Sequence, residues 1–167
     1  MRSGIINFTV SAVVLAAGVA GVGAGEDTAF SRITGHYEAI RQALIDDSTR
    51  GIATHAEAIA AAATALEGDF EARAAGVEPG DADAVREMLP EVRTSAETLA
   101  AAKDLTHARQ SLAVMTRPLT RWQKLVKGPR PVVVYCPMEK KAWLQPDEPV
   151  GNPYDPSMLR CGEVVHR

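Results

Sequence analysis

From Phe30 onward the large apolar residues fall at Phe30, Ile33, Tyr37, Ile40 and Leu44, in alternating steps of three and four. Steps of that size place the side chains along one face of a helix. Asp46-Asp47-Ser48 interrupts the pattern, which resumes at Ile52, Ala56, Ile59, Ala63, Leu66 and Phe70. The small alanines on this second face would let a neighbouring helix approach closely. Gly76 to Gly80, with Pro79, signals a turn, and Asp81 or Asp83 offers a carboxylate to the free amides of the helix that follows. Val92, Ala96, Leu99 and Ala102 continue a helical face up to Lys103, with Pro90 predicting a kink or restart inside it. Asp104 has the position of a fresh N-cap for a last helix carrying Ala108, Leu112, Met115, Leu119, Trp122 and Val126. Pro118 lies within that helix and predicts a bend, or a new start capped by Thr116.

Four amphipathic segments with short connections can bury their stripes against one another, and the short loops favour antiparallel neighbours. The expected fold is therefore all-α, an up-and-down four-helix bundle with a small C-terminal β-hairpin or loop segment. The character changes after Gly128. Pro131-Val132-Val133-Val134-Tyr135 is β-branched and follows a proline, so it predicts a strand, and Val164-Val165 can pair with it. Pro146, Pro149, Pro153 and Pro156, with Gly151, predict an irregular loop between the two. The expected organisation is a signal peptide over 1–24, a helical bundle over 25–127, and a Cys/Met-rich segment over 128–167 packed on the bundle as part of the same domain.

The signal-peptide expectation rests on Arg2, the apolar stretch Ile5 to Val22, and the small residues Val22-Gly23-Ala24, which follow the n, h and c order of an export signal. Cleavage is expected after Ala24, giving a periplasmic or secreted protein with no membrane span in its mature form. The remaining length suits one core. A net charge of -3, with basic residues scattered among acidic ones, argues against nucleic acid as a partner. Aromatic residues make up 5% of the chain, which suits closely packed helices better than a sandwich or barrel. No nucleophile elbow or glycine-rich phosphate loop is present, so the protein is expected not to be an enzyme.

The chemistry-bearing residues lie late in the chain. Its two cysteines each have a methionine nearby, in Cys136-Pro137-Met138 and Met158-Leu159-Arg160-Cys161. Thiolate and thioether sulfurs are soft donors that favour Cu(I) over hard cations, so these four residues form a candidate ligand set. An even number of cysteines in an exported chain equally points to a Cys136–Cys161 disulfide closing the proline-rich loop. Both readings stay open on spacing alone. The four histidines are dispersed: His36 and His107 near helix starts, His55 one residue before a seam position, and His166 beside the last residue. Each is expected first as a solvated or hydrogen-bonded side chain, with His36 and His166 the better placed of the four to act as ligands.

The closing series Val134-Tyr135-Cys136-Pro137-Met138, Trp143-Leu144, Asn152-Pro153-Tyr154 and Met158-Leu159-Arg160-Cys161-Gly162-Glu163-Val164 resembles the end of a family of unknown function. Its members occur alone after a signal peptide or appended to periplasmic adaptors of copper/silver efflux pumps, the CusB-type membrane-fusion proteins. The helix start His36-Tyr37-Glu38-Ala39-Ile40-Arg41-Gln42-Ala43-Leu44 is similar in pattern. The resemblance implies a helical bundle that handles heavy-metal ions, with Cys136, Met138, Met158 and Cys161 as ligands for Cu(I), Ag(I) or another soft ion. It implies Tyr135, Trp143, Asn152 and Tyr154 as the shell that orders the loop. The chain departs from the related short metal-binding motifs in having Glu139 where a histidine follows Cys-Pro-Met. The expected role is a copper-binding accessory protein acting in sequestration or in hand-over to efflux, with an efflux adaptor or other envelope protein as partner. The alternative is a non-metal envelope interaction module with a structural disulfide.

Overall fold

The computed structural model describes residues 27–167, and the expected signal peptide lies outside the described residues. Helix α1 (Ala29–Ile45) starts at Thr28, whose hydroxyl accepts from the Ser31 amide at 3.1 Å. Helix α2 (Ile52–Gly68) follows Gly51, which sits at φ 78°. A short helix α3 (Ala72–Ala75) ends at Gly76, also left-handed, whose amide bonds the Arg73 carbonyl while Val77 bonds back to Ala72. That closure is the usual glycine C-terminal motif. A 3-10 turn at Pro79–Asp81 leads into α4 (Ala82–Ala100), and α5 (Leu105–Gln123) completes the helices. Asp104 caps α5 by accepting from the His107 amide at 2.8 Å. Asp81 makes no side-chain capping bond, while Asp83 stands in the first turn of α4 and pairs with Arg86.

Neither proline divides its helix: α4 runs through Pro90 and α5 through Pro118. Each proline removes one backbone hydrogen bond, but the buried stripes on both sides keep the helix in register. Val85, Leu89, Val92, Ala96 and Leu99 on α4, and Leu112, Met115, Leu119 and Trp122 on α5, are all inside.

The expectation of an all-α four-helix bundle with a hairpin is overturned by a three-stranded antiparallel sheet built into the core. Strands β1 (Val132–Cys136), β2 (Lys141–Gln145) and β3 (Glu163–His166) are ordered β2-β1-β3. β1 pairs with β2 from Val132↔Gln145 to Cys136↔Lys141, and with β3 through a bulge at Val133/Val134. The fold is a mixture of five helices and a small sheet. The physical reason lies between α1 and α5. These helices meet through long side chains, the Phe30 and Trp122 rings at 5.3 Å and the Tyr37 hydroxyl 2.7 Å from that of Thr116. Strand β2 packs against both helices there, and Val132, Val133, Val134, Cys136, Trp143 and Leu144 join the same hydrophobic cluster as the helical stripes. The helices alone leave one side of the core open, and the sheet closes it.

Tyr37 is the joint. Its hydroxyl accepts from the Leu144 amide of β2 at 3.3 Å and donates to Thr116 Oγ1 on α5, which donates in turn to the Leu112 carbonyl at 2.8 Å. This directed chain satisfies every polar group it buries. Burial pushes the Tyr37 phenol up to about 12, so it stays protonated and able to donate. No helix among the described residues is long and apolar enough to cross a membrane.

Candidate functional site

The C-terminal segment over 128–167 brings two of the four candidate sulfur ligands together. Cys136 closes β1 and Cys161 lies just before β3; they form a disulfide with Cα atoms 5.5 Å apart. The pairing of β3 beside β1 places both cysteines at the same end of the sheet. Cys136 is fully buried and Cys161 half-buried. In this form neither sulfur is a thiolate, the state in which cysteine binds a metal.

The methionines have separate positions. Met138 occupies the turn between β1 and β2 and is 73% exposed. Met158 ends a 3-10 turn at Pro156–Met158 and is half-buried. Its backbone is what the local fold uses: the Met158 carbonyl accepts from the Cys161 amide at 2.8 Å and from Asn152 Nδ2 at 3.3 Å. Among the described residues, no group of three or more His, Cys, Asp or Glu side chains is arranged to hold a metal ion.

The expected ordering shell divides in the same way. Trp143 is fully buried, donates from Nε1 to Gln145 Oε1 at 2.9 Å, and meets the edge of the Tyr154 ring at 6.0 Å. Tyr154 donates from its hydroxyl to the Ala142 carbonyl at 2.7 Å, and burial pushes its phenol well above the ordinary range. Asn152 is the pivot of the loop. Its amide N–H donates to Leu159, its side-chain oxygen accepts from the Tyr154 amide at 2.9 Å, and its Nδ2 donates to Met158. Tyr135 is only half-buried and belongs to the strand pairing.

Several residues that position this segment carry little sequence signal. Arg41 on α1, 4% exposed, is held by the Glu38 carboxylate and donates to the Gly151 carbonyl at 2.6 Å. Arg109 on α5 donates to the carbonyls of Leu44 and Pro153, tying the end of α1 to the loop. Gln145 links β2 to the loop by accepting from the Gly151 amide at 3.2 Å and donating to Pro149. Gly162 is required by both backbone and space: it has φ 150°, and a Cβ there would lie 2.6 Å from the Trp143 ring and 2.8 Å from Val134. The signal for β2 was the four-residue spacing between Cys136 and Lys141, with Trp143 and Leu144 beyond it, which is a hairpin length.

Three of the histidines have side-chain partners, as expected, and His166 departs. His166 faces Val133 across β1 and β3, and its Nδ1 is buried without a hydrogen-bond partner among the described residues. His107 pairs with its own cap, Asp104, at 3.0 Å. His36 and His55, on α1 and α2, have their Nδ1 atoms 3.0 Å apart. A groove lined in part by Thr28, Phe30, Arg73, Val77, Val126 and Pro131 has no histidine or cysteine in its wall. No protein-family profile matches the chain, and neither the curated proteins nor the solved structures contain a match.

Proposed function

We propose that the protein is an exported, non-catalytic interaction module of the cell envelope, whose C-terminal segment is locked in shape by a structural disulfide. The observation that carries this reading is the bonded Cys136–Cys161 pair. Disulfides persist in oxidising compartments outside the cytoplasm, so the bond agrees with an exported chain. It also occupies both sulfurs that a Cu(I) or Ag(I) site would need. Closing the 25-residue separation between the cysteines contributes about 3 kcal/mol in the chain-entropy treatment. The segment so fixed presents Met138 outward from a tight turn beside the disulfide, a side chain of the kind that adapts to apolar surfaces of partner proteins.

The test is thiol counting by alkylation and mass spectrometry on protein taken from its native compartment, paired with Cu(I) titration of the reduced chain against a competing chelator. Both cysteines are expected to resist alkylation until reduced, and the Cys136→Ala/Cys161→Ala chain is expected to lose about 3 kcal/mol in urea denaturation. Free thiols in the native protein, with tight Cu(I) binding that Cys136→Ser and Met158→Leu abolish, would replace this reading by sulfur-based copper sequestration or hand-over to efflux.

A further inference from the structure

Two imidazoles meet across the α1–α2 interface, away from any cysteine. His36 and His55 are 19 residues apart in sequence, their Nδ1 atoms are 3.0 Å apart, and their ring centroids are separated by 5.3 Å. The core fixes this meeting. Tyr37 follows His36 and Ala56 follows His55, and both neighbours are fully buried, so the rotation of each helix about its axis is set by packing. Both histidines are themselves half-buried, which leaves their rings open to solvent on one side.

In the metal-free arrangement the two nitrogens share one proton, with one Nδ1–H donating to the other Nδ1. The two Nδ1 atoms cannot both carry a proton at this distance without repulsion. Imidazole binds a metal ion through the lone pair of an unprotonated ring nitrogen. A cation bound by both nitrogens needs each about 2.0–2.1 Å away. Two nitrogens 3.0 Å apart are already near the spacing of neighbouring ligands around such an ion, so the rings need little adjustment to share one. The proton balance is simple: the donor ring moves its proton from Nδ1 to Nε2 by tautomerisation, and no net proton is released.

We propose that His36 and His55 form a binding site for a first-row divalent cation that favours imidazole, the class of Cu(II), Ni(II) and Zn(II). Water completes the coordination shell, because two nitrogens are the only protein ligands the pair supplies. The bound ion replaces the shared proton and clamps α1 to α2. This site uses no sulfur, so it stands or falls independently of the state of Cys136 and Cys161.

The experiment uses the tag-free, disulfide-intact full chain with Ni(II) as the thermodynamic probe and Cu(II) as the spectroscopic one. Isothermal titration with Ni(II) is expected to show one site, weakened at least tenfold by either His36→Gln or His55→Gln and unchanged by His107→Gln. Ni(II) is also expected to raise the melting temperature of the parent chain and not that of the double His36→Gln/His55→Gln chain, by linkage of binding to folding. Electron paramagnetic resonance of a stoichiometric Cu(II) complex is expected to show coupling to two imidazole nitrogens, lost in the double variant. Circular dichroism verifies that the variants fold, which the exposure of both rings favours. Equal Ni(II) affinity in parent and double variant, or no binding up to millimolar Ni(II), would overturn the proposal and leave the pair as a hydrogen bond between neutral histidines.

Discussion

Where α2 lies between α1 and α4, contact is made by Ile52, Ala56, Ile59, Ala63 and Leu66, a repeating apolar face that touches its neighbours in the same way turn after turn. The C-terminal segment has no such repetition. Its strands add Val134, Trp143 and Leu144 to the shared core, but its loop is attached to the helices by single polar contacts, Arg41 to Gly151 and Arg109 to Pro153, and is folded on itself by Gln145, Asn152 and one disulfide. The difference is one of tolerance. An apolar seam loses a fraction of its free energy when one side chain changes shape, because its contacts are many and non-directional. A buried polar contact that loses its partner leaves an unsatisfied group, which costs about 1–3 kcal/mol at that one place.

The largest expected effect comes where the two kinds of contact coincide. Trp143 supplies apolar area to the common core and a hydrogen bond to Gln145, so Trp143→Ala is expected to cost about 3–5 kcal/mol in urea denaturation. A loss under 1 kcal/mol would mean that the sheet is not part of the cooperative unit. Next comes Asn152→Leu, which nearly keeps side-chain volume but strands the Tyr154 amide and one bond to the Met158 carbonyl. It is expected to cost about 2–3 kcal/mol, with amide hydrogen exchange accelerated over 150–161 before the helices respond. Leu112→Met in the buried stripe of α5 makes a change of comparable size on the other side of the comparison. It is expected to cost less than about 1.5 kcal/mol. If Leu112→Met proves as damaging as Asn152→Leu, the contrast drawn between the two regions is wrong.

The smallest expected effect is on pH dependence. The folded chain holds His36 below its ordinary value of 6.5, whereas the unfolded chain does not. Just below pH 6.5 the unfolded state therefore binds more protons, so this contribution to stability is complete above that pH and is lost as the pH falls through the lowered folded value. Urea midpoints measured from pH 7.5 down to 5 should decline modestly, and His36→Gln should flatten that portion of the curve. A midpoint that is unchanged in both chains would show that the α1–α2 contact exerts no such bias.

The same distinction explains what the amino-acid sequence revealed. The stripes from Phe30 to Leu44 and from Ile52 to Leu66 repeat with the period of a helix, and the cap at Asp104 is local, so both could be read directly. That the Val164-Val165 stretch pairs with the strand after Pro131 was also legible from β-branched residues, though the register and its bulge were not. The mixed architecture was not, because nothing in the spacing of Trp143 and Leu144 says that α1 and α5 leave a space for them. Lys141–Gln145 was missed as a strand because its ends are polar and prolines follow closely. At the candidate site the two Cys-and-Met pairs allowed either a four-sulfur ligand set or a disulfide, and the structure joins the two cysteines and leaves Met138 in solvent. The His36–His55 contact had no signature at all, since it depends on how two helices are rotated against each other.

Tyr37 has one more consequence, for the order of events as the polypeptide folds. Its hydroxyl meets an amide 107 residues further along the chain, and Arg41 meets a carbonyl 110 residues away. Contacts at such separations repay loop-closure entropy only after most of the chain has been gathered in, and topologies dominated by them fold slowly. The helical hairpins can form early from neighbours in sequence, but the first helix must wait for the last third of the chain before its inner face is covered. Until then it offers bare apolar surface and an unmatched phenol to any chaperone that meets the newly made protein.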